Sequence, residues 1–137
     1  MARAMMPLTR HLPASWITSI VRTDLLRGYV QAERGGHSID HFLRPFSSDE
    51  GRDALMCHFV ALDSAETQAL EPRLKDVVAP TAIIWGAEDP FLPRVIAERL
   101  STSIPHASLD YIADGRHFTP EESPAKVADL IAGLMKR

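Results

Sequence analysis

The sequence has little cysteine, no long apolar run and no concentration of positive charge. Its single cysteine, Cys57, excludes an internal disulfide and any metal site built from several cysteines. No stretch approaches the roughly 20 apolar residues that span a membrane, and the opening segment MARAMMPLTRHLP lacks the apolar core of a signal peptide. The 15 Lys and Arg residues form neither a block nor a stripe, which argues against a nucleic-acid partner.

The remaining composition is that of an ordinary globular protein. The 137 residues are 45% hydrophobic and 24% charged, and the formal net charge is -3. This length fits one domain and is enough to bury a core. We therefore expect a soluble, cytoplasmic protein that does not bind a membrane. The six histidines are scattered without an H-E-x-x-H pair, so no metal is expected. No organic cofactor is expected either.

Before Pro80 the sequence shows only helical patterns. A first helix is predicted within LPASWITSIVRTDLLRGYV, and the segment RGGHSI then breaks the periodicity. A short helix is predicted over residues 38–46. A capping box of Ser47 with Glu50 predicts a further helix through DALMCHFVAL, with Cys57 in its core. The apolar positions of the first helix are Trp16, Ile17, Ile20, Val21, Leu25 and Tyr29.

After Pro80 the pattern changes to strand, helix, strand and helix. The run TAIIW, which ends at Gly86, predicts a buried parallel strand. RVIAERLSTSI predicts a helix and ASLDYI a second, more alternating strand. Thr119 begins a predicted turn of helix, and Pro124 begins the last helix. This half is therefore predicted to be one βαβ unit followed by a C-terminal helix.

Two polar loops, GAEDPFLP and ADGRHFTP, follow the two predicted strands. In a βαβ unit the carboxyl ends of both strands lie at one edge, where open α/β sheets bind ligands. Asp89 on the first loop would then reach His117 on the second, because neighbouring strands are about 5 Å apart. Such a carboxylate fixes the imidazole tautomer and stabilises the imidazolium. Glu88 is the rival acid, and a purely structural role for Asp89 is a cap for its own loop.

These segments resemble the α/β-hydrolase superfamily. APTAIIWGAEDPFLP resembles its strand and loop that carry the catalytic acid, and IPHASLDYIADGRHFTPEESPAKVADLIAGLM resembles its last strand, histidine loop and terminal helix. The resemblance implies Asp89 as the acid and His117 as the general base. The helical residues 1–73 then resemble the cap inserted before the seventh strand, and residues 74–137 the C-terminal βαβα part of the core. Arg116 departs from the family's usual glycine and is expected to crowd the loop.

The nucleophile that this superfamily places before its acid and histidine is missing. The segment GGHSID is the one partial match to G-x-S-x-G. Asp40 replaces its last glycine, however, and no buried strand precedes the segment. Ser38 is therefore rejected as a nucleophile and interpreted as the N-cap of a helix IDHFLRPF. No HGGG-like oxyanion segment is present either. The expected fold is an incomplete α/β-hydrolase fold: a helical cap, then a parallel βαβ unit and a C-terminal helix.

The expected function is that of the C-terminal part of a hydrolase for small, fairly apolar ester-like substrates. It would be a fragment, a truncated gene product or half of a split enzyme, inactive alone. Its partner would be the missing amino-terminal half, or another copy paired through the exposed sheet edge. A dehalogenase-like or epoxide-hydrolase-like enzyme with an aspartate nucleophile, and a non-catalytic binding module, remain alternatives. The expected pocket residues are Trp16, Phe42, Phe59, Phe91 and Phe118.

Overall fold

The computed structural model of the chain describes residues 11–136 and divides it into two compact units. One unit contains the described residues up to Leu26 together with Ala32–Glu66, and the other contains Arg27–Gln31 and the chain from Thr67 onwards. The boundary predicted after residue 73 thus falls inside the second unit, where the 3₁₀-helix Glu71–Asp76 belongs. The cap and core roles assigned to the two segments stay predictions.

The first unit is entirely helical in its described part. Helix α1 spans Ala14–Leu26, α2 spans Ala32–Leu43, and a 3₁₀ turn, Arg44–Phe46, leads to α3 at Asp49–Ala61. A short helix α4, Ser64–Gln68, begins in this unit and ends in the other. The three longer helices, α1, α2 and α3, each bury part of one face. The buried apolar residues of this unit are Ala14, Ile17, Ile39, Leu43 and Leu55.

The break predicted at RGGHSI is wrong, because α2 runs straight through it and places Ser38 inside the helix. Ser38 is therefore not an N-cap. Both Gly35 and Gly36 are buried, and a Cβ on Gly36 would lie 3.3 Å from the Arg22 guanidinium of α1. Arg22 also pairs with Asp40 of α2 at 2.5 Å. Packing against α1 thus outweighs the weak helix propensity of two glycines.

Two details of α3 also differ from the prediction. Its N-cap is Ser48, whose side chain accepts the N–H of Gly51 at 3.1 Å, whereas the Ser47 hydroxyl donates to the Arg44 carbonyl. The 3₁₀ turn before α3 shifts the start of the helix by one residue. Cys57 is exposed. It lies two residues after the buried Leu55, about 200° around the helix, so it points away from the buried face.

The second unit contains a two-stranded parallel sheet. Strand β1, Ala82–Gly86, pairs with β2, Ser108–Ile112, so that Gly86 lies opposite Ile112. Helix α5, Arg94–Ser103, connects the strands, and Ala97 is its fully buried contact residue. The short α6, Thr119–Glu122, and α7, Pro124–Leu134, follow. The predicted βαβ unit and C-terminal helix are confirmed. No helix within residues 11–136 is both long and apolar enough to cross a membrane.

Candidate active site

Backbone hydrogen bonds join the loops that follow β1 and β2. The N–H of Ala87 donates to the Ile112 carbonyl at 3.0 Å, and the N–H of Glu88 donates to the Gly115 carbonyl at 2.9 Å. The β2 loop closes on itself through the Gly115 N–H, which donates to Ile112 at 2.9 Å. Each loop is therefore an extension of the parallel sheet, and their side chains are held at one edge.

Asp89 and His117 meet at this edge. Nδ1 of His117 lies 2.9 Å from Oδ2 of Asp89. The other oxygen, Oδ1, accepts the backbone N–H groups of Phe91 at 2.8 Å and Leu92 at 3.0 Å. One carboxylate thus caps its own loop and contacts the histidine. The rival acid Glu88 instead pairs with Arg94 at 3.2 Å, and both side chains are exposed.

The Asp89 carboxylate is buried and ionised. Its side chain is 6% exposed, against 34% for His117. Burial, the largest single influence, raises the pKa of Asp89, but the hydrogen bond to His117 and those from the backbone of Phe91 and Leu92 together outweigh it. The pKa of Asp89 is therefore held below its ordinary value of 3.8. At neutral pH, Asp89 is an anion that favours a proton on Nδ1 of His117.

The lowered pKa of Asp89 predicts a contribution to acid stability. The pKa of Asp89 is lower in the folded protein than in the unfolded chain. Asp89 therefore stabilises the fold fully at any pH above its unfolded-state pKa, and this contribution is lost as the pH falls through its folded-state pKa. Asp89→Asn should cost about 1–3 kcal/mol at pH 7 and flatten the fall in unfolding free energy below about pH 4. Urea titrations at several pH values measure this. Asp114 carries an exposed carboxylate on the neighbouring loop, and the control variant Asp114→Asn should show the wild-type dependence of the unfolding free energy on pH. The same wild-type dependence in Asp89→Asn would contradict the prediction.

Two aromatic rings flank the imidazole. The ring centroids of Phe91 and Phe118 each lie 5.1 Å from that of His117, at interplanar angles of 84° and 87°. Two of the five expected pocket residues are therefore beside the histidine. The other three, Trp16, Phe42 and Phe59, lie on α1, α2 and α3 of the first unit, where each is more than a third exposed. A pocket role for those three stays a prediction.

The loop that follows β2, residues 113–118, is called the histidine loop, and a segment that the sequence pattern does not predict lies against it. We call Arg27–Gln31 the strap; it belongs to the second unit although it connects α1 to α2 in sequence. Its Gly28 carbonyl accepts the N–H groups of His117 at 2.9 Å and Phe118 at 3.3 Å. The apolar periodicity predicts a first helix that continues to Tyr29, but α1 ends at Leu26. Gly28 within that run was the available signal for an early end.

Arg116, the departure from the family pattern, has its side chain directed at the strap. Its Nη1 donates to the carbonyls of Arg27 at 3.2 Å and Tyr29 at 3.1 Å. The crowding expected from this side chain is thus replaced by two hydrogen bonds. No group of three or more His, Cys, Asp and Glu side chains within residues 11–136 is arranged to hold a metal ion.

Comparison with known proteins gives partial matches to several hydrolases. No family model matches the chain. It is 34% identical over 99 residues to the "Uncharacterized hydrolase YugF" of Bacillus subtilis, covering 72% of this chain and 35% of that protein. It is 38% identical over 53 residues to haloalkane dehalogenase 2 of Mycobacterium tuberculosis, covering 38% of this chain and 18% of that protein.

A further relative is monoacylglycerol lipase abhd6-A of Xenopus laevis, 32% identical over 78 residues, or 56% of this chain and 23% of that protein. The matched part of the chain thus spans about a third or less of the length of these relatives. Together with the parallel βαβ unit, the matches confirm the resemblance and the incomplete fold that it implied. The chain is related to the α/β-hydrolase superfamily.

Proposed function

We propose that the chain is the C-terminal part of a carboxylic-ester-type hydrolase, in which Asp89 is the catalytic acid and His117 the general base. The observation that carries this proposal is the 2.9 Å contact between Nδ1 of His117 and Oδ2 of Asp89, at the carboxyl ends of two parallel strands. Ligands of open α/β sheets bind at that edge.

The geometry suits a base that takes and returns a proton at Nε2. Asp89 engages Nδ1, so the tautomer with the proton on Nδ1 leaves the Nε2 lone pair for a hydroxyl. When His117 takes that proton, the nearby carboxylate stabilises the imidazolium. The oxygen of the hydroxyl then attacks the ester carbonyl, and the imidazolium returns the proton to the leaving alcohol. In the second half of the cycle His117 deprotonates the water that cleaves the acyl-enzyme.

The nucleophile is proposed to come from outside the 137 residues. The sequence contains no G-x-S-x-G, and Ser38 of GGHSID lies within α2 rather than on a turn after a strand. The superfamily's nucleophile occupies such a strained strand-to-helix turn. The relatives are about three times as long as the matched segment or longer, which leaves ample sequence for a nucleophile and an oxyanion hole.

The proposed substrate is a small, fairly apolar ester. Phe91 and Phe118 give the surroundings of His117 an apolar character, and a lipase is among the relatives. A second candidate is a dehalogenase-type reaction, favoured by the relative named haloalkane dehalogenase 2. There an aspartate would form an alkyl ester with the substrate, and His117 would activate the water that hydrolyses it.

We predict that the 137-residue chain alone hydrolyses no activated ester above background. Loss of the nucleophile from a triad leaves only the residual catalysis that the oxyanion hole and binding supply, and this chain has no recognisable oxyanion segment. Stopped-flow release of p-nitrophenol from p-nitrophenyl acetate tests this. Ser38→Ala should behave as the wild type; a burst that Ser38→Ala abolishes would show that GGHSID carries the nucleophile.

We further predict that the DNA upstream of the Met1 codon encodes a strand, the sharp turn that carries the nucleophile (the elbow) and a helix. This segment is expected in the same reading frame or one frameshift away. An elbow of the form G-x-S-x-G predicts esterase activity in the joined protein, and G-x-D-x-G predicts halide release from chloroalkanes or epoxide opening. Sequencing, then expression of the longer chain, distinguishes the two. His117→Gln in that longer chain should remove whichever activity appears.

The proposal also predicts how the chain alone behaves. β1 is paired only with β2 among the described strands, and an unpaired strand edge can pair with another chain. Self-association, or stabilisation by the amino-terminal half, is therefore expected in light scattering and thermal unfolding. If the upstream sequence is unrelated and no partner with such an elbow binds, the split-enzyme proposal fails and a non-catalytic binding module replaces it.

A further inference from the structure

Every residue of the strap Arg27–Gln31 is hydrogen-bonded through its backbone to the histidine loop or to α6, which follows it. Three consecutive carbonyls, those of Arg27, Gly28 and Tyr29, accept hydrogen bonds from residues 116–118. The next two N–H groups, of Val30 and Gln31, both donate to Oε1 of Glu122, at 2.7 Å and 3.1 Å. One backbone group in each of the five strap residues is thus satisfied by the loop or by the short helix after it.

The side chains of the strap reinforce this contact. Tyr29 is 1% exposed, stacks on Phe118 with ring centroids 4.3 Å apart, and donates from its hydroxyl to Oε2 of Glu121 at 2.9 Å. A Cβ on Gly28 would lie 2.8 Å from both Phe91 and Phe118. The strap therefore packs against the two rings that flank His117.

We propose that Arg116 and Glu122 are positioning residues that hold the strap and, through it, fix the imidazole of His117 towards Asp89. This inference rests on the proposed function, because His117 needs a defined orientation only if it is the base. Arg116 donates with a full positive charge, so its two bonds are stronger than neutral ones, and one oxygen of Glu122 accepts two consecutive backbone N–H groups of the strap. The strap in turn binds the backbone N–H of His117 and supports both neighbouring rings.

The position of Arg116 in the sequence explains why it is suited to this task. Its side chain points to the strap from the residue immediately before His117. A glycine there would leave the Arg27 and Tyr29 carbonyls without this donor. Small errors in the placement of a catalytic group, on the order of 1 Å, can cost about 100-fold in rate.

The test uses nuclear magnetic resonance of His117 in the 137-residue chain, so it does not depend on turnover. The ¹⁵N shifts of the imidazole report its tautomer, and the exchange of the Nδ1 proton with water reports its bond to Asp89. We expect Arg116→Gly to mix the tautomers and to speed the exchange by about tenfold or more, which corresponds to a loss of about 1.4 kcal/mol. Arg116→Lys, which keeps a charged donor, should restore part of the wild-type signal.

Arg99→Ala is the matched control. It also removes one exposed arginine of the second unit, which pairs with Glu71 instead of the strap, and it should leave the His117 signals unchanged. The inference is overturned if Arg116→Gly keeps the wild-type tautomer and exchange rate. It is also overturned if Arg99→Ala changes both as much as Arg116→Gly does, because the effect would then be a general loss of stability.

Glu122 gives a second pair of variants if Arg116→Gly fails to fold. Glu122→Gln keeps an oxygen acceptor for Val30 and Gln31 and should retain the His117 signals, whereas Glu122→Ala should disturb them. Equal signals in these two variants would also overturn the inference. If these variants change the His117 signals as expected but the longer protein shows no activity, the proposed function is refuted while the positioning by the strap stands.

Discussion

Gly86→Ala is expected to destabilise the second unit by at least about 3 kcal/mol. A Cβ at this position would lie 2.0 Å from the backbone oxygen of Arg116 and 2.7 Å from that of Gly115. Both are backbone atoms of the histidine loop, so no side-chain rotation relieves the clash. Either β1 separates from β2 at the Gly86 and Ile112 pair, or the loop moves and takes His117 away from Asp89. Urea unfolding measures the loss of stability.

Gly133→Ala is the control for this prediction. Nothing lies within 4 Å of a Cβ at Gly133, which sits in the last turn of α7. Alanine there should raise the free energy of unfolding by about 0.5 kcal/mol, because it restricts the unfolded chain and favours the helix. A Gly86→Ala variant within about 1 kcal/mol of the wild type would show that the β1 and histidine loops are not held as closely as described.

Asp89→Asn should lower kcat by about 10⁴-fold in the complete hydrolase, with a much smaller change in KM. The reason is the tautomer of His117. An asparagine that keeps its Oδ1 bonds to Phe91 and Leu92 presents an NH₂ group to the imidazole in place of the Asp89 oxygen. Nδ1 then becomes the acceptor, the ring proton moves to Nε2, and the base can no longer take a proton from the nucleophile.

Glu88→Gln is the matched control for that prediction. It removes the adjacent carboxylate, which pairs with Arg94 on the surface, and it should change kcat by less than about threefold, as an exposed ion pair contributes little. Steady-state kinetics on the longer protein provides the measurement. If Glu88→Gln lost this activity and Asp89→Asn kept it, Glu88 rather than Asp89 would be the acid, as the sequence alone allowed.

The part of the fold that sequence predicted best is the βαβ unit. TAIIW is a short apolar run between Pro80 and Gly86, ASLDYI is a more alternating run, and the helix between them has a clear apolar face. These are local signals. A helix that connects two neighbouring strands returns the chain to the same end of the sheet, so the strands pair in parallel. Their carboxyl ends, and with them the loops of Asp89 and His117, therefore lie at one edge.

The first unit was predicted less well, because its outcome depends on packing. The segment RGGHSI predicts a break between helices, but α2 continues through it. It does so because Gly36 allows Arg22 of α1 to approach and because Ile39 is fully buried. The N-cap of α3 lies one residue later than predicted, because the preceding 3₁₀ turn sets the start of the helix. Local propensity is a weak guide wherever such contacts decide.

The sequence by itself determined the order of the elements, the relation to hydrolases and the acid and histidine loops, because each depends on residues close together along the chain. Only the tertiary structure showed that Asp89 contacts His117 while Glu88 pairs with Arg94, and that the strap lies against the histidine loop. The bonds from Arg116 to Arg27 and Tyr29 join residues 89 and 87 positions apart. Contacts over such separations leave no periodic pattern in the sequence, because they form only when the folded backbone brings distant segments together.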